Sequence, residues 1–514
     1  MRRGRLAAAC LLAPFVAACN AAWSPQPPAV PASTAQGRQA DPQICRHRAN
    51  DTIEKLEACI RRAELWQELS QFAQIADENP GPDGHPNRNT GTPGYAASVA
   101  YVQMQMQRAG YDVTIQRYVY RNTELAATPQ FATAGRSYVF ERDWYVARGS
   151  AAGTLTAPVE PSRGDGCAPA DFDRFTPGDV ALMPRGKCDF DTQVANAQGA
   201  GAAAAVLYDS SQEAAAGAFE ARLVDAATIP VIGVATYEIG NDLLRAYRSG
   251  VAPTARIDVR TRSRSDIDYN VIADSPYGDP KKTVVVEGHL DSIHGAGMLD
   301  NASGSTTILD VALNLAKTPT RNRLRYIWFG GEEIGLLGSR YYTTHLTKAE
   351  LHRIVFDVDA DVTATPNFDI LIADPKYASK VHRFPPNVIP ASKIGNEYFE
   401  HFFKAGGVVA QPAWFGNDGT DSFSFAVVGI PDTGILTQQD CCKHAWETAL
   451  WGGFLGNYEG DIPSRNGGCV DRPHRWCDNL SNNDPFVLEL ASKAVAYVTF
   501  ELANRRFAEP ETGI

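Results

Sequence analysis

The chain has 514 residues, more than one ordinary hydrophobic core accommodates, so two or three domains are expected. Hydrophobic residues make up 44% and charged residues 21%, which excludes a disordered or collagen-like chain. The net charge is −11 and no long basic stretch occurs, which argues against nucleic acid as a partner.

Arg2, Arg3 and Arg5 precede an apolar run over residues 6–18 that is short for a membrane span, the pattern of an export signal over residues 1–18. Val16-Ala17-Ala18-Cys19 resembles the lipobox of bacterial lipoproteins, which implies cleavage before Cys19 and a lipid anchor on it. Asn20 is not the aspartate of a retention signal, so that resemblance implies an outer-membrane destination; a plain secretory peptide is the alternative. Residues 19–41 are proline-rich and read as a flexible tether. Ten cysteines less Cys10 and Cys19 leave eight, an even number suited to disulfides in an oxidising compartment. Proximity favours Cys45–Cys59, Cys167–Cys188 and Cys469–Cys477, and leaves the adjacent Cys441 and Cys442 open.

Ile53, Leu56, Ile60, Leu65, Leu69, Phe72 and Ile75 recur near helical spacing, predicting a helix over 50–76. Residues 80–94 are rich in Gly, Pro and Asn and read as loop; 95–108 return to helix and 111–120 alternate as a strand. Residues 129–262 change character. Gly166-Cys167, Arg185-Gly186-Lys187-Cys188-Asp189-Phe190, the Ala-rich run over 197–207 and Ile229-Pro230-Val231-Ile232-Gly233 together resemble the protease-associated domain, a small β-rich module inserted into several peptidases. This divides the remainder into a main domain over 42–128 and 263–514. There Val284-Val285-Val286 and residues 324–329 read as buried strands and 303–315 as a helix. The expected class is α/β, a central mostly parallel or mixed sheet flanked by helices, with site loops at the strand ends.

Five clusters in that domain carry chemistry. His289 and Asp291 follow the Val284–Val286 run, and their i, i+2 spacing lets Asp291 reach the ring nitrogen that His289 does not offer to a metal. Asp300 follows Gly295 and Gly297, where the backbone can approach a site closely, and one carboxylate there can bridge two cations. Taken alone it would be a helix cap. Glu332-Glu333 follow the 324–329 strand; adjacent acids among apolar residues repel unless a cation intervenes, so Glu333 can bind metal while Glu332 accepts a proton. Asp357, Asp359 and Asp361 alternate on one apolar strand and face one side, so at least one is expected to meet a cation; Asp361 is chosen and Asp359 is its rival. His474 lies three residues before Cys477, with His444 as its rival. Histidines and carboxylates in this number suit two zinc ions and an attacking water.

The motifs Gly288-His289-Leu290-Asp291-Ser292, Asp300-Asn301-Ala302-Ser303-Gly304, Phe329-Gly330-Gly331-Glu332-Glu333, Asp361 to Asn367, Asp418-Gly419-Thr420-Asp421 and His474 to Asn482 appear in order. The ordered set resembles the co-catalytic zinc aminopeptidase family that includes secreted bacterial leucyl-type aminopeptidases, over roughly residues 42–510. That resemblance implies two zinc ions per chain, one on His289, Asp300 and Asp361, the other on Asp300, Glu333 and His474. It implies Glu332 as general base, Asp291 as the residue orienting His289, and a family position at Asp421. Two departures stand out: Asn301 where members often have a second acid, and Pro473 where secreted members often have a tyrosine that helps the oxyanion.

The expectation is therefore an exported metallo-aminopeptidase acting on peptides with a free N-terminus, touching membrane only through Cys19. A zinc carboxypeptidase or a glutaminyl cyclase on the same scaffold is the alternative, and a receptor-like relative would be expected to have lost ligands. Phe423, Phe425, Trp446 and Trp451 are candidates for a hydrophobic substrate pocket or, equally, for core.

Overall fold

The computed structural model describes residues 40–507 except 134, 186–187, 210–220, 222, 224–226, 379–383, 414–418, 440–442 and 460–475. The expected signal peptide, most of the tether, Cys441, Cys442, Cys469, Pro473 and His474 lie outside the described residues.

Among the described residues the strands form two eight-stranded sheets. The first is built from β1 (Asp112–Leu125), β2 (Thr261–Asp274), β3 (Asp279–His289), β4 (Asn322–Phe329), β5 (Ile354–Ala360), β6 (Leu371–Ala373), β7 (Gln411–Ala413) and β8 (Asp432–Leu436). Their order across the sheet is β1-β2-β4-β3-β5-β8-β6-β7. The centre is parallel, with β4, β3, β5 and β8 side by side, while β1 and β2 add an antiparallel edge. Every residue from Val284 to His289 is buried, as a strand covered on both faces requires. The helix Ser303–Leu315 is buried along its whole length and packs against the helices Arg62–Glu78 and Pro485–Asn504. Asp484 caps the last of these by accepting the N–H groups of Phe486 and Val487, ahead of a proline at the first turn.

The predicted helix over 50–76 is two helices, Ile53–Glu57 and Arg62–Glu78. Cys59 is bonded to Cys45 with their Cα atoms 5.6 Å apart, Ile60 is buried, and Arg61 is extended at φ −127°, ψ 136°, so the chain turns between two anchored residues. Leu65, Leu69, Phe72 and Ile75 then line one buried face, as their spacing predicts.

The second sheet uses strands between Gln130 and Val259 and carries its own hydrophobic clusters on its two faces. The Cys167–Cys188 disulfide is present there. In sequence this unit lies between β1 and β2, which pair with each other from Asp112↔Asp274 to Leu125↔Thr261. Among the described residues no helix is long and apolar enough to cross a membrane.

Candidate metal centre

The parallel strands β3, β4 and β5 run the same way and end at one edge of the sheet. In such sheets chemistry gathers beyond the carboxyl ends of the strands. His289 is the last residue of β3, Glu332 and Glu333 follow β4, and Asp361 is the first residue after β5.

His289 Nε2 lies 3.1 Å from Asp300 Oδ1 and 3.4 Å from Asp361 Oδ1. One ligand atom from each of the three residues falls within 4.8 Å of the others, and all three residues are buried. Burial alone would push the imidazole down. The carboxylates of Asp361 and Glu332, with hydrogen bonding to Asp291 and Asp300, outweigh it and hold His289 well above its usual range. A histidine nitrogen facing two carboxylates in a buried pocket suits a divalent cation such as zinc, whose charge offsets their mutual repulsion.

Asp291 plays a wider part than its spacing predicts. The His289 Nδ1 is 3.1 Å from the Asp291 backbone oxygen and 3.6 Å from its carboxylate. That carboxylate accepts the Thr90 hydroxyl at 2.7 Å and the backbone N–H groups of Glu332 at 3.2 Å and Glu333 at 3.4 Å. One acid thus ties the histidine turn to the two-glutamate loop, and both glutamates are buried. Gly331 in that loop has φ +70°, and a Cβ there would stand 2.9 Å from the Tyr118 hydroxyl.

Asp300 sits in an irregular turn, Met298–Ala302, with a cis peptide to Asn301. Asn301 explains its own departure from the family pattern. Its oxygen accepts the N–H groups of Gly304 at 2.8 Å and Val362 at 3.0 Å, while its nitrogen donates to Ala360 at 2.9 Å. An aspartate has no proton to give the Ala360 carbonyl. The amide therefore stitches the Asp300 turn to the end of β5, beside Asp361.

Asp359, the rival of Asp361, points into a deeper acidic patch and accepts the Thr420 hydroxyl at 2.8 Å. Glu287 pairs with Asp359 across β3 and β5, and Asp357 pairs with Asp432 across β5 and β8. All four are buried. Burial, reinforced by the neighbouring acids, holds Glu287 and Asp357 well above the carboxylate range. Burial raises Asp432 to about 8 against the Ser392 hydrogen bond, and raises Asp421 to about 7 against the pull of His289. Asp357 therefore faces other acids, Asp359 on its own strand and Asp432 on the next.

His444 is exposed at the start of the helix Ala445–Trp451 and is absent from the metal-type cluster. Phe425 packs in the core against Phe329 and Tyr342, whereas Trp446 is exposed. From the second domain Arg148 reaches His294, 3.3 Å away on the loop after His289. Sequence reasoning passed over Arg88 and Thr90, and read Asp478 only as part of the His474-to-Asn482 motif, without a role. Arg88 is fully buried; burial pulls its guanidinium down to about 10, while Asp478, Asp291 and Asp300 act to raise it.

A histidine and two aspartates converging at the carboxyl edge of a parallel sheet, with two glutamates on the neighbouring loop, are the hallmark of a metallohydrolase. Residues 270–499 match the model of peptidase family M28, and residues 151–243 match that of the PA domain. The aminopeptidase of Pseudomonas aeruginosa is 30% identical over 468 residues, covering 86% of this chain and 81% of that protein. The probable lipoprotein aminopeptidase LpqL of Mycobacterium tuberculosis is 31% identical over 446 residues, covering 84% and 83%. Among solved structures, an aminopeptidase from Aneurinibacillus sp. strain AM-1 shares the fold with a TM-score of 0.66 at 19% identity, covering 88% of this chain and 96% of that one. The zinc aminopeptidase BSAP from Bacillus subtilis follows at 0.57 and 22%, covering 87% and 96%. The chain belongs to peptidase family M28, with an inserted PA domain, and is an aminopeptidase of that zinc peptidase family.

Proposed function

We propose that this chain is an exported aminopeptidase that holds two zinc ions in a shared centre. The peptidase domain comprises residues 42–128 and 263–514, and the inserted domain residues 129–262. The observation that carries the reading is the convergence of His289, Asp300 and Asp361 beside the Glu332–Glu333 loop. His289, Asp300 and Asp361 would hold one ion; Asp300, Glu333 and His474 would hold the other. When bound, zinc makes a water acidic near neutral pH and stabilises negative charge on the scissile carbonyl oxygen.

Glu332 takes the proton of the attacking water and returns it to the leaving amine. Asp291 fixes the register between Glu332 and His289, because its carboxylate accepts the Glu332 N–H and its carbonyl faces His289 Nδ1. Substrates are peptides with a free N-terminus. Export is supported by the Cys45–Cys59 and Cys167–Cys188 disulfides, by the lipobox-like Val16-Ala17-Ala18-Cys19 and by similarity to a protein named a lipoprotein aminopeptidase.

The test is metal analysis of the purified protein with a panel of aminoacyl chromogenic amides, before and after chelation. The expected result is two zinc ions per chain, hydrolysis abolished by chelator and restored by zinc. A zinc-loaded protein that leaves every aminoacyl amide intact would end the reading.

A further inference from the structure

The loop from Leu290 to Asp300 has to deliver the Asp300 carboxylate to His289, yet most of it is irregular chain. Its shape is fixed from two sides. From behind, the fully buried Arg88 donates Nε to Ala296 O at 2.8 Å, Nη1 to Leu290 O at 2.8 Å and Nη2 to Gly297 O at 2.7 Å. The Arg88 backbone also donates to Gly295 O, and its carbonyl accepts the Ser292 N–H, both at 3.3 Å. From the other side Asp478 accepts the N–H groups of Leu299 at 2.6 Å and Asp300 at 3.1 Å, and its backbone oxygen accepts Met298 N–H. Gly297 makes the turn between the two grips with φ +58°, where a Cβ would stand 2.2 Å from that of Ser292.

We infer that Arg88 and Asp478 are positioning residues for metal: together they clamp the Leu290–Asp300 loop so that the Asp300 carboxylate is held where zinc needs it. The inference rests on the zinc reading above. Three carbonyls aimed at one guanidinium spend most of its donors on backbone. A buried charge is tolerated only where acids lie near, and those acids, Asp478, Asp291 and Asp300, belong to the site itself. Asp478 stands four residues after His474, so one side chain links the segment of the last expected ligand to the loop of the shared one. Neither residue is among the ligands named above. Their effect is on ligand geometry, and groups that orient metal ligands typically contribute about 10–100-fold in affinity.

The experiment uses the full-length enzyme, stripped by chelation and titrated with zinc against a chromophoric competitor, as wild type, Arg88→Lys and Asp478→Asn. Each metal-free form is also melted, and each is loaded with cobalt for its visible spectrum. Both variants are expected to lose about 10–100-fold in zinc affinity. Metal-free Asp478→Asn should melt close to wild type and Arg88→Lys somewhat below it, and the cobalt bands of both should shift. Wild-type affinity and cobalt spectra in both variants overturn the inference. So does a metal-free form that melts far below wild type while its folded fraction binds zinc normally, because the clamp would then serve folding alone. If Arg88→Lys yields no soluble protein, Asp478→Asn decides. A wild type that takes up no zinc sinks the functional reading instead, and the inference with it.

Discussion

Along β3 and β5 the acids meet two fates only a residue or two apart. Just past the end of β5, Asp361 converges on His289 Nε2 at 3.4 Å, joined at 3.1 Å by Asp300 from the turn Met298–Ala302. One pleat deeper, Glu287, Asp357 and Asp359 face one another, and both Glu287 oxygens lack a hydrogen-bond partner among the described residues. The outer acids have a nitrogen ligand beside them and the geometry of a cation site. Burial and their mutual repulsion hold the inner acids well above the carboxylate range. Alternation along a strand sets which side an acid faces; position at the strand's end decides whether it can serve chemistry.

Removing the base gives the largest expected effect. Glu332→Gln should retain zinc while kcat falls about 10²–10⁴-fold, measured on an aminoacyl amide; an unimpaired variant would take the role from Glu332. Next comes the direct contrast between fates. Asp361→Asn should weaken zinc by more than about 100-fold, and Asp359→Asn by less than about 10-fold, in competition titrations. Equal losses would erase the distinction between outer and inner acids. The last contrast is read per pH unit, where its effect is smallest. Native Asp432 keeps its proton to about 8, from an ordinary value of 3.8. The native state therefore binds more protons than the unfolded chain between those values. Its stabilising share is full below about pH 4 and is lost as pH rises towards 8. Asp432→Asn should remove up to one proton from that slope, about 1.4 kcal/mol per pH unit, in denaturant melts across that range. An unchanged slope would show that Asp432 ionises normally.

The α/β class, the strands at 284–286 and 324–329 and the helix at 303–315 were legible because apolar runs and helical periodicity report burial directly. The clustering of His289, Asp300 and Asp361 was legible because His289 and Asp361 stand at the ends of buried strands and Asp300 just ahead of a buried helix. Arg88 was not. It lies in a Gly-, Pro- and Asn-rich stretch that reads as surface loop, and its partners are backbone carbonyls, which leave no mark in the identity of Leu290, Ala296 or Gly297. The break between Glu57 and Arg62 was hidden for a related reason, because apolar spacing continues through a turn that a disulfide imposes. The three alternating aspartates showed their shared face, but not that Asp357 would find another acid, Asp432, on the strand beside it.

The pairing of Leu125 with Thr261, extended by Ala126 donating to Arg260 O at 2.8 Å, places the exit and re-entry of the inserted domain on facing rungs of one antiparallel ribbon. Facing Cα atoms on such a ribbon stand only about 4.5–5.5 Å apart. A hairpin turn spans that gap as readily as a whole module does. The insert is thus a cassette in the architectural sense, entering and leaving the catalytic scaffold through one seam, while Arg148 reaches from it to His294 on the loop after His289.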